Sequence, residues 1–93
     1  MYDNISIPDA KEFSERVLLE EKESLLNNRL EYQLKVIEDK MREGAVTARW
    51  IFSDIEPYRE PIRNAWMREF DSVLADMFEE KGYIVAGGII SWP

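Results

Sequence analysis

The residues best suited to chemistry in this sequence are arginines that lie close to aromatic residues. All five basic residues between positions 41 and 68 are arginines, although the whole chain has a net charge of −7. A guanidinium group binds phosphate or carboxylate through two parallel hydrogen bonds, and it also stacks on aromatic rings. This segment therefore indicates a site for an anionic ligand.

The spacing of the arginines suggests how one such site could form. Arg59 and Arg63 flank Pro61, and proline favours the first turn of a helix, where free backbone N–H groups attract an anion. Tyr58 could stack on the ligand, and Arg49 is expected on the exposed face of a strand. With Trp92 stacking on a base, the site would suit a nucleotide. The hypothetical ligand-binding residues are Arg49, Tyr58, Arg59, Arg63 and Trp92.

A plainer interpretation of the same residues stays open beside this one. Arg59 and Arg63 could form ordinary surface ion pairs with Glu56, Glu60 and their neighbours. Trp92 is next to last in the sequence. A tryptophan on such a terminal strand could close the core or take part in an oligomer or partner interface.

Two residue types that many catalytic mechanisms use are missing. The sequence has no histidine and no cysteine, which excludes histidine-dependent triads, thiolate catalysis, disulfides and zinc–thiolate sites. The clustered carboxylates alternate with lysines, as on a solvated helix face with ion pairs between successive turns. These clusters are Glu20-Glu21-Glu23, Glu38-Asp39 and Asp76-Glu79-Glu80. The sequence thus predicts a protein that is not an enzyme and has no metal site and no cofactor.

The acidic balance of the chain restricts its partners. A charge of −7 and a pI of about 4.6 repel nucleic-acid polymers and anionic membrane surfaces. The expected partner is an anionic small molecule or another protein, the latter bound through the acidic helical surface. No apolar run reaches the ~20 residues of a membrane span, and the first residues do not resemble a secretory signal. We therefore expect a cytoplasmic location.

Apolar periodicity places these residues on helices and strands. Residues 8–43 are predicted to form one long helix or two shorter ones, since Asn27-Asn28 could break the helix. Ser6 and Asp9 resemble a capping box at its start. A stripe with steps of three and four residues follows, and Gly44 ends it. The stripe consists of Leu26, Leu30, Leu34, Ile37 and Met41, preceded by Phe13, Val17 and Leu18.

The second half of the chain alternates between strands and one helix. Residues 45–53 alternate with a period of two, which predicts a strand with Val46, Ala48, Trp50 and Phe52 on its buried face. Pro61 opens a helix that Gly82 ends, and Trp66 lies on its apolar stripe. Residues 83–86 and 89–92 are predicted strands around a Gly87-Gly88 turn. The remaining stripe residues are Ile62, Phe70, Val73, Leu74, Met77 and Phe78.

Together these elements predict one α+β domain over residues 1–93. Its N-terminal long helix or helix pair precedes a β-α-β-β unit with a small, largely antiparallel, three-stranded sheet. The short sheet can cover only part of a long apolar helix stripe. A homo-oligomer is therefore expected.

Two segments of the chain resemble a group of small bacteriophage and prophage proteins. They are MREGAVTARWIF at 41–52 and FEEKGYIVAGGIISWP at 78–93, within a similarity that covers most of residues 28–92. Proteins of this group run helix, strand, helix and a closing GYxV and ISW strand pair. The Pro57–Pro61 connection and the N-terminal segment depart from that pattern.

The resemblance implies a context more than a mechanism. Small phage proteins of this kind are accessory factors, and many counter bacterial defences by binding a protein or sequestering a signalling nucleotide. By this analogy the chain would be a non-enzymatic, counter-defence binding protein in a bacterial host cell. A structural or assembly subunit is a third possibility, which the long helix would serve.

Overall fold

Two helices and a small sheet make up the fold, as seen in a computed structural model that describes residues 4, 6–53 and 59–93. Helix α1 (Ala10–Arg42) is followed by strand β1 (Thr47–Arg49) and a 3₁₀ turn (Ile51–Ser53). Helix α2 (Pro61–Glu80) then leads into strands β2 (Ile84–Ala86) and β3 (Ile89–Ser91). The predicted α+β class, with a long helix before a β-α-β-β unit, is confirmed.

Helix α1 is continuous across the Asn27-Asn28 pair, so the alternative of two shorter helices is wrong. Packing of the flanking residues Leu26 and Leu30 against the core outweighs the weak helix propensity of asparagine. The start of the helix also differs from the prediction. Asp9 is the N-cap residue and its side chain makes no capping hydrogen bond, so the predicted start at Pro8 and the capping box are not formed.

Both helices end in the same glycine motif. Gly44 has φ of 81°, and the N–H groups of Gly44 and Ala45 donate to the carbonyls of Met41 and Lys40 at 3.0 Å each. Gly82, with φ of 96°, repeats this arrangement at the end of α2. These are Schellman motifs, in which glycine takes the left-handed conformation at low cost. Both predicted helix ends are confirmed.

The three strands form an antiparallel sheet in the order β1-β3-β2. Central strand β3 pairs Ile90 with Ala48 on one side and with Val85 on the other. Gly87 and Gly88 make the predicted two-residue turn, with φ of 59° and 76°. Because side chains alternate across a strand, Ala48, Val85 and Ile90 face the helices while the flanking residues face outward.

The first strand is shorter than predicted. The alternation over residues 45–53 continues as a strand only to Arg49, after which the chain tightens into the 3₁₀ turn. The backbone N–H of Ser53 donates to the carbonyl of Trp50 at 3.1 Å, which closes this turn. In this turn Ile51 is buried, although it was predicted on the exposed face. Val46, which precedes β1, is 55% exposed, although it was predicted inside.

The core lies between the inner face of the sheet and the two helices. Ile37 of α1 and Leu74 and Phe78 of α2 pack with Ala48, Trp50 and Ile90. A second group, formed by Trp66, Met67 and Phe70, packs against Leu25 and Leu26 of α1. The predicted core positions of Trp50 and Trp66 are confirmed.

The molecule is strongly elongated. Its extents are 64 × 27 × 21 Å and its radius of gyration is 18.1 Å. A compact domain of this length would have a radius of gyration of about 12 Å. Helix α1 accounts for the difference, because 33 residues at 1.5 Å each span about 50 Å. Residues 10–20 of α1 are exposed all round.

Candidate functional site

Arg49 lies at the end of β1, and α1 fixes its position. Its guanidinium donates to the hydroxyl of Tyr32 at 2.9 Å, and both side chains are exposed. Its backbone carbonyl accepts a hydrogen bond from the side-chain amide of Gln33 at 3.0 Å. Arg49 is therefore exposed, as predicted.

Arg63 lies in the first turn of α2, where it forms a cross-helix ion pair. Its guanidinium contacts the carboxylate of Glu21 on α1, and the two side chains are 36% and 42% exposed. The pair ties the start of α2 to α1. Ion pairing is thus the arrangement found for Arg63, with Glu21 of α1 as its partner. Glu56, one of the partners considered from the sequence, lies outside the described residues.

The structure does not bring Arg49 and Arg63 together. Their contacts on α1, Tyr32 and Glu21, are 11 residues apart. At 1.5 Å per residue this is about 16 Å along the helix axis. Arg59 is exposed and immediately precedes the N-cap residue of α2. Tyr58 falls outside the described residues.

Trp92 packs on the domain itself. It is half-buried, its ring meets that of Tyr83 edge to face at 6.3 Å, and it packs against the main core. Its backbone N–H donates to the carbonyl of Val46 at 3.0 Å, so it extends the pairing of β3 with the chain before β1. Of the two roles predicted for Trp92, closing the core is the one that these contacts support.

A different basic neighbour accompanies Arg49. Lys40 of α1 and Arg49 line the same shallow depression of about 380 Å³, together with Thr47 and Ile89. The ammonium group of Lys40 is 3.3 Å from the carboxylate of Glu43, which offsets part of its charge. Sequence reasoning missed Lys40, because only tertiary packing places the last turn of α1 beside β1.

An exposed apolar surface lies between the two helices, on the flank that the sheet does not cover. Four of its side chains are largely exposed: Leu19 at 56%, Leu34 at 45%, Val73 at 41% and Met77 at 48%. Two adjacent depressions of about 240 and 290 Å³ run along this flank. We call the surface the α1–α2 groove; its apolar residues are Leu19, Leu26, Leu30, Leu34, Val73 and Met77.

Two wide apolar stripes create this groove. The sequence predicts stripes on both helices, but only one edge of each reaches the core, through residues such as Ile37 and Leu74. The other edge carries Leu34 and Met41 on α1, at 45% and 43% exposure. On α2 the same edge carries Ile62, Val73 and Met77. The apolar stripes that form the groove were therefore visible in the sequence. Which side of each stripe faces solvent depends on how the helices pack.

Acidic side chains border the groove on both sides. Glu23, Glu69 and Glu80 line its depressions, where Lys22 bridges the two helices to Glu69 at 2.6 Å. Lys81 lies at the end of α2. The arrangement can bind an apolar surface that also carries positive charge.

A comparison with protein-family models, curated protein sequences and solved structures finds no match to this chain. Within the described residues, neither helix combines the length and apolar character needed to cross a membrane. In the same part of the chain, no three or more acidic residues converge as metal ligands would.

Proposed function

We propose that the protein acts by binding a protein partner through its helix pair, without catalysing a reaction. The single observation that carries this proposal is the α1–α2 groove, an exposed apolar surface bordered by acidic side chains. Exposed apolar patches with a polar rim are typical of interaction sites. Resemblance to phage accessory proteins supports a host protein as the partner and antagonism of a bacterial defence as the outcome.

The first experiment compares two faces of the molecule inside bacterial cells. A photo-crosslinking amino acid replaces Val73, in the groove, or Ile84, which is 64% exposed on the sheet. We expect a discrete covalent adduct with a host protein from position 73 and none from position 84. No adduct from either position, with both variants folded and expressed, would contradict the proposal.

Charge reversal gives a second measure of the same surface. Glu20→Lys with Glu23→Lys is expected to weaken the position-73 adduct, because the partner would meet positive charge at the acidic rim. Glu21 is left unchanged, since its carboxylate holds Arg63 and its reversal would disturb the helix pair. An undiminished adduct would contradict a role for the rim.

A second candidate function is the capture of an anionic small molecule such as a nucleotide. It is supported by one observation, the shared depression of Lys40 and Arg49. Native mass spectrometry of protein purified from a bacterial host tests it. A retained mass of a few hundred daltons that disappears in the Lys40→Ala, Arg49→Ala variant would support this function. Protein that carries no ligand would contradict it.

A further inference from the structure

The α1–α2 groove has the length of a helix-binding site. Leu19 and Leu34 mark its ends on α1 and are 15 residues apart, or about 22 Å at the helical rise. Val73 and Met77, one turn apart on α2, complete the opposite wall. A partner helix of about four turns would lie along such a groove with its apolar side chains between those of α1 and α2.

Helix periodicity places a row of mostly acidic residues beside each wall of the groove, with the same spacing on both helices. On α1, Glu20 is followed seven and eleven residues later by Asn27 and Glu31. On α2, Glu69 is followed at the same intervals by Asp76 and Glu80. Residues separated by seven and eleven positions lie on one side of a helix. The two rows together hold five carboxylates and one asparagine.

Two lysines that line the groove offset part of its negative charge. Lys22 is held by Glu69 at 2.6 Å, and Lys81 lies at one end of the groove. Against these two lysines stand the five carboxylates of the rows and Glu23 on the α1 wall. The groove therefore keeps an excess of negative charge around an apolar floor.

We propose that the occupant of the α1–α2 groove is a basic amphipathic α-helix of the protein partner. This rests on the proposed function and specifies the chemistry of the partner at the same surface. Its apolar face would cover Leu34, Val73 and Met77, while lysines or arginines on its flanks would meet the two acidic rows.

A second copy of the chain fits this surface less well. In a symmetric dimer the same groove would face itself, and its acidic rows would lie against one another. Each copy also carries a charge of −7. Like charges across an interface lower affinity, so the charge pattern favours a basic partner over self-association.

The test uses two model peptides and the full chain. A fluorescein-labelled, 18-residue amphipathic peptide built from leucine and lysine is titrated with the protein, and fluorescence anisotropy is recorded. The matched peptide has glutamate at every lysine position. We expect saturable binding of the lysine peptide, at least roughly tenfold tighter than binding of the glutamate peptide, and weaker at higher salt.

Matched variants locate the binding. Leu34→Glu and Met77→Glu each place a charge in the groove, whereas Ile84→Glu makes the same change at an exposed residue of the sheet. We expect the groove variants to weaken binding of the lysine peptide roughly tenfold and the sheet variant to leave it unchanged. Circular dichroism and thermal melts confirm that each variant is folded.

Several outcomes would overturn the inference. Absence of lysine-peptide binding, equal binding of both peptides, or equal effects of Met77→Glu and Ile84→Glu would each do so. A homodimer formed through the groove would also overturn the inference. Analytical ultracentrifugation detects it as a wild-type dimer that the Met77→Glu change converts to a monomer. If the peptide fails but the position-73 adduct to a host protein persists, this inference falls and the proposed function stands; if both fail, neither stands.

Discussion

At the scale of single residues, Gln33 connects the long helix to the sheet. Its side chain is fully buried, at 0% exposure. Its amide donates to the carbonyl of Arg49 and its oxygen accepts from the N–H of Ile51 at 2.9 Å. A buried glutamine with both ends satisfied lets the chain leave β1 and enter the 3₁₀ turn without orphaned backbone groups.

Replacement of Gln33 by leucine is therefore expected to be costly. The Gln33→Leu change removes both hydrogen bonds and leaves the Arg49 carbonyl and the Ile51 N–H without their partner. We expect a loss of about 2–4 kcal/mol in the free energy of unfolding, measured by urea denaturation. Lys35→Leu, two residues away on the exposed side of α1, is the control and should change stability by less than about 0.5 kcal/mol. Equal effects of the two changes would contradict this role.

Asp71 of α2 forms a hydrogen bond with a buried residue of the core. Its carboxylate accepts a hydrogen bond from the indole N–H of Trp50 at 2.8 Å, and Trp50 is only 3% exposed. The pair satisfies the one polar atom of a large buried side chain.

Asp71→Ala should leave that indole N–H unsatisfied. We expect a loss of about 1–2 kcal/mol in the free energy of unfolding. Asp76→Ala, at an exposed position one turn and a half along α2, is the matched control with little expected effect. Thermal melts of the two variants at the same pH measure these losses. A destabilised Asp76→Ala protein with an unchanged Asp71→Ala protein would contradict the stabilising role of Asp71.

At the scale of elements, the Gly87-Gly88 turn sets the register of the hairpin and also touches the 3₁₀ turn. Both glycines have positive φ, but a Cβ at Gly88 would lie 3.3 Å from the side chain of Ser53. A Cβ at Gly87 would meet nothing within 4 Å. The turn and the segment after β1 are therefore packed together only at the second glycine.

Alanine at each glycine separates backbone strain from this contact. Gly87→Ala should lose about 1–2 kcal/mol, the cost of a left-handed conformation for a residue with a Cβ. Gly88→Ala should lose that amount and more, since Ser53 must also move. Chemical denaturation of both variants tests this, and an equal loss in the two would show that the Ser53 contact has no energetic weight.

Much of the element order could be predicted from local sequence. Glycines after apolar stripes marked both helix ends, Pro61 marked the start of α2, and Gly87-Gly88 marked the hairpin. The 3₁₀ turn was missed because residues 51–53 continue the alternation of a strand. The hydrogen bond that the Ile51 N–H donates to the distant Gln33 side chain favours the turn instead. Local pattern carries no information about such a partner.

The candidate site was less accessible to sequence reasoning. Proximity in sequence suggested that Arg49 and Arg63 converge, but their contacts on α1 are about 16 Å apart along the helix axis. The stripes of both helices were identified, and the short sheet was expected to cover only part of the α1 stripe. Which members remain exposed, such as Leu34 and Met77, is decided by the packing of the helices and sheet.

At the scale of the whole molecule, a small sheet and its core hold two long helices side by side. Because the sheet covers one flank, the opposite flank keeps its apolar groove exposed between acidic edges. Exposure of this surface costs stability in a small domain, and a partner that covers it would recover that apolar burial. A homo-oligomer, expected from the sequence, stays a prediction.

Methyl NMR of the full chain during titration with the basic amphipathic peptide tests the central claim most directly. Signals of Leu19, Leu34, Val73 and Met77 in the groove are compared with those of Ile84 and Ile89 on the outer face of the sheet. The proposed surface predicts saturable shifts of the groove methyls and unchanged signals from the two sheet isoleucines. Shifts confined to Ile84 and Ile89, or no saturable shift at all, would contradict it.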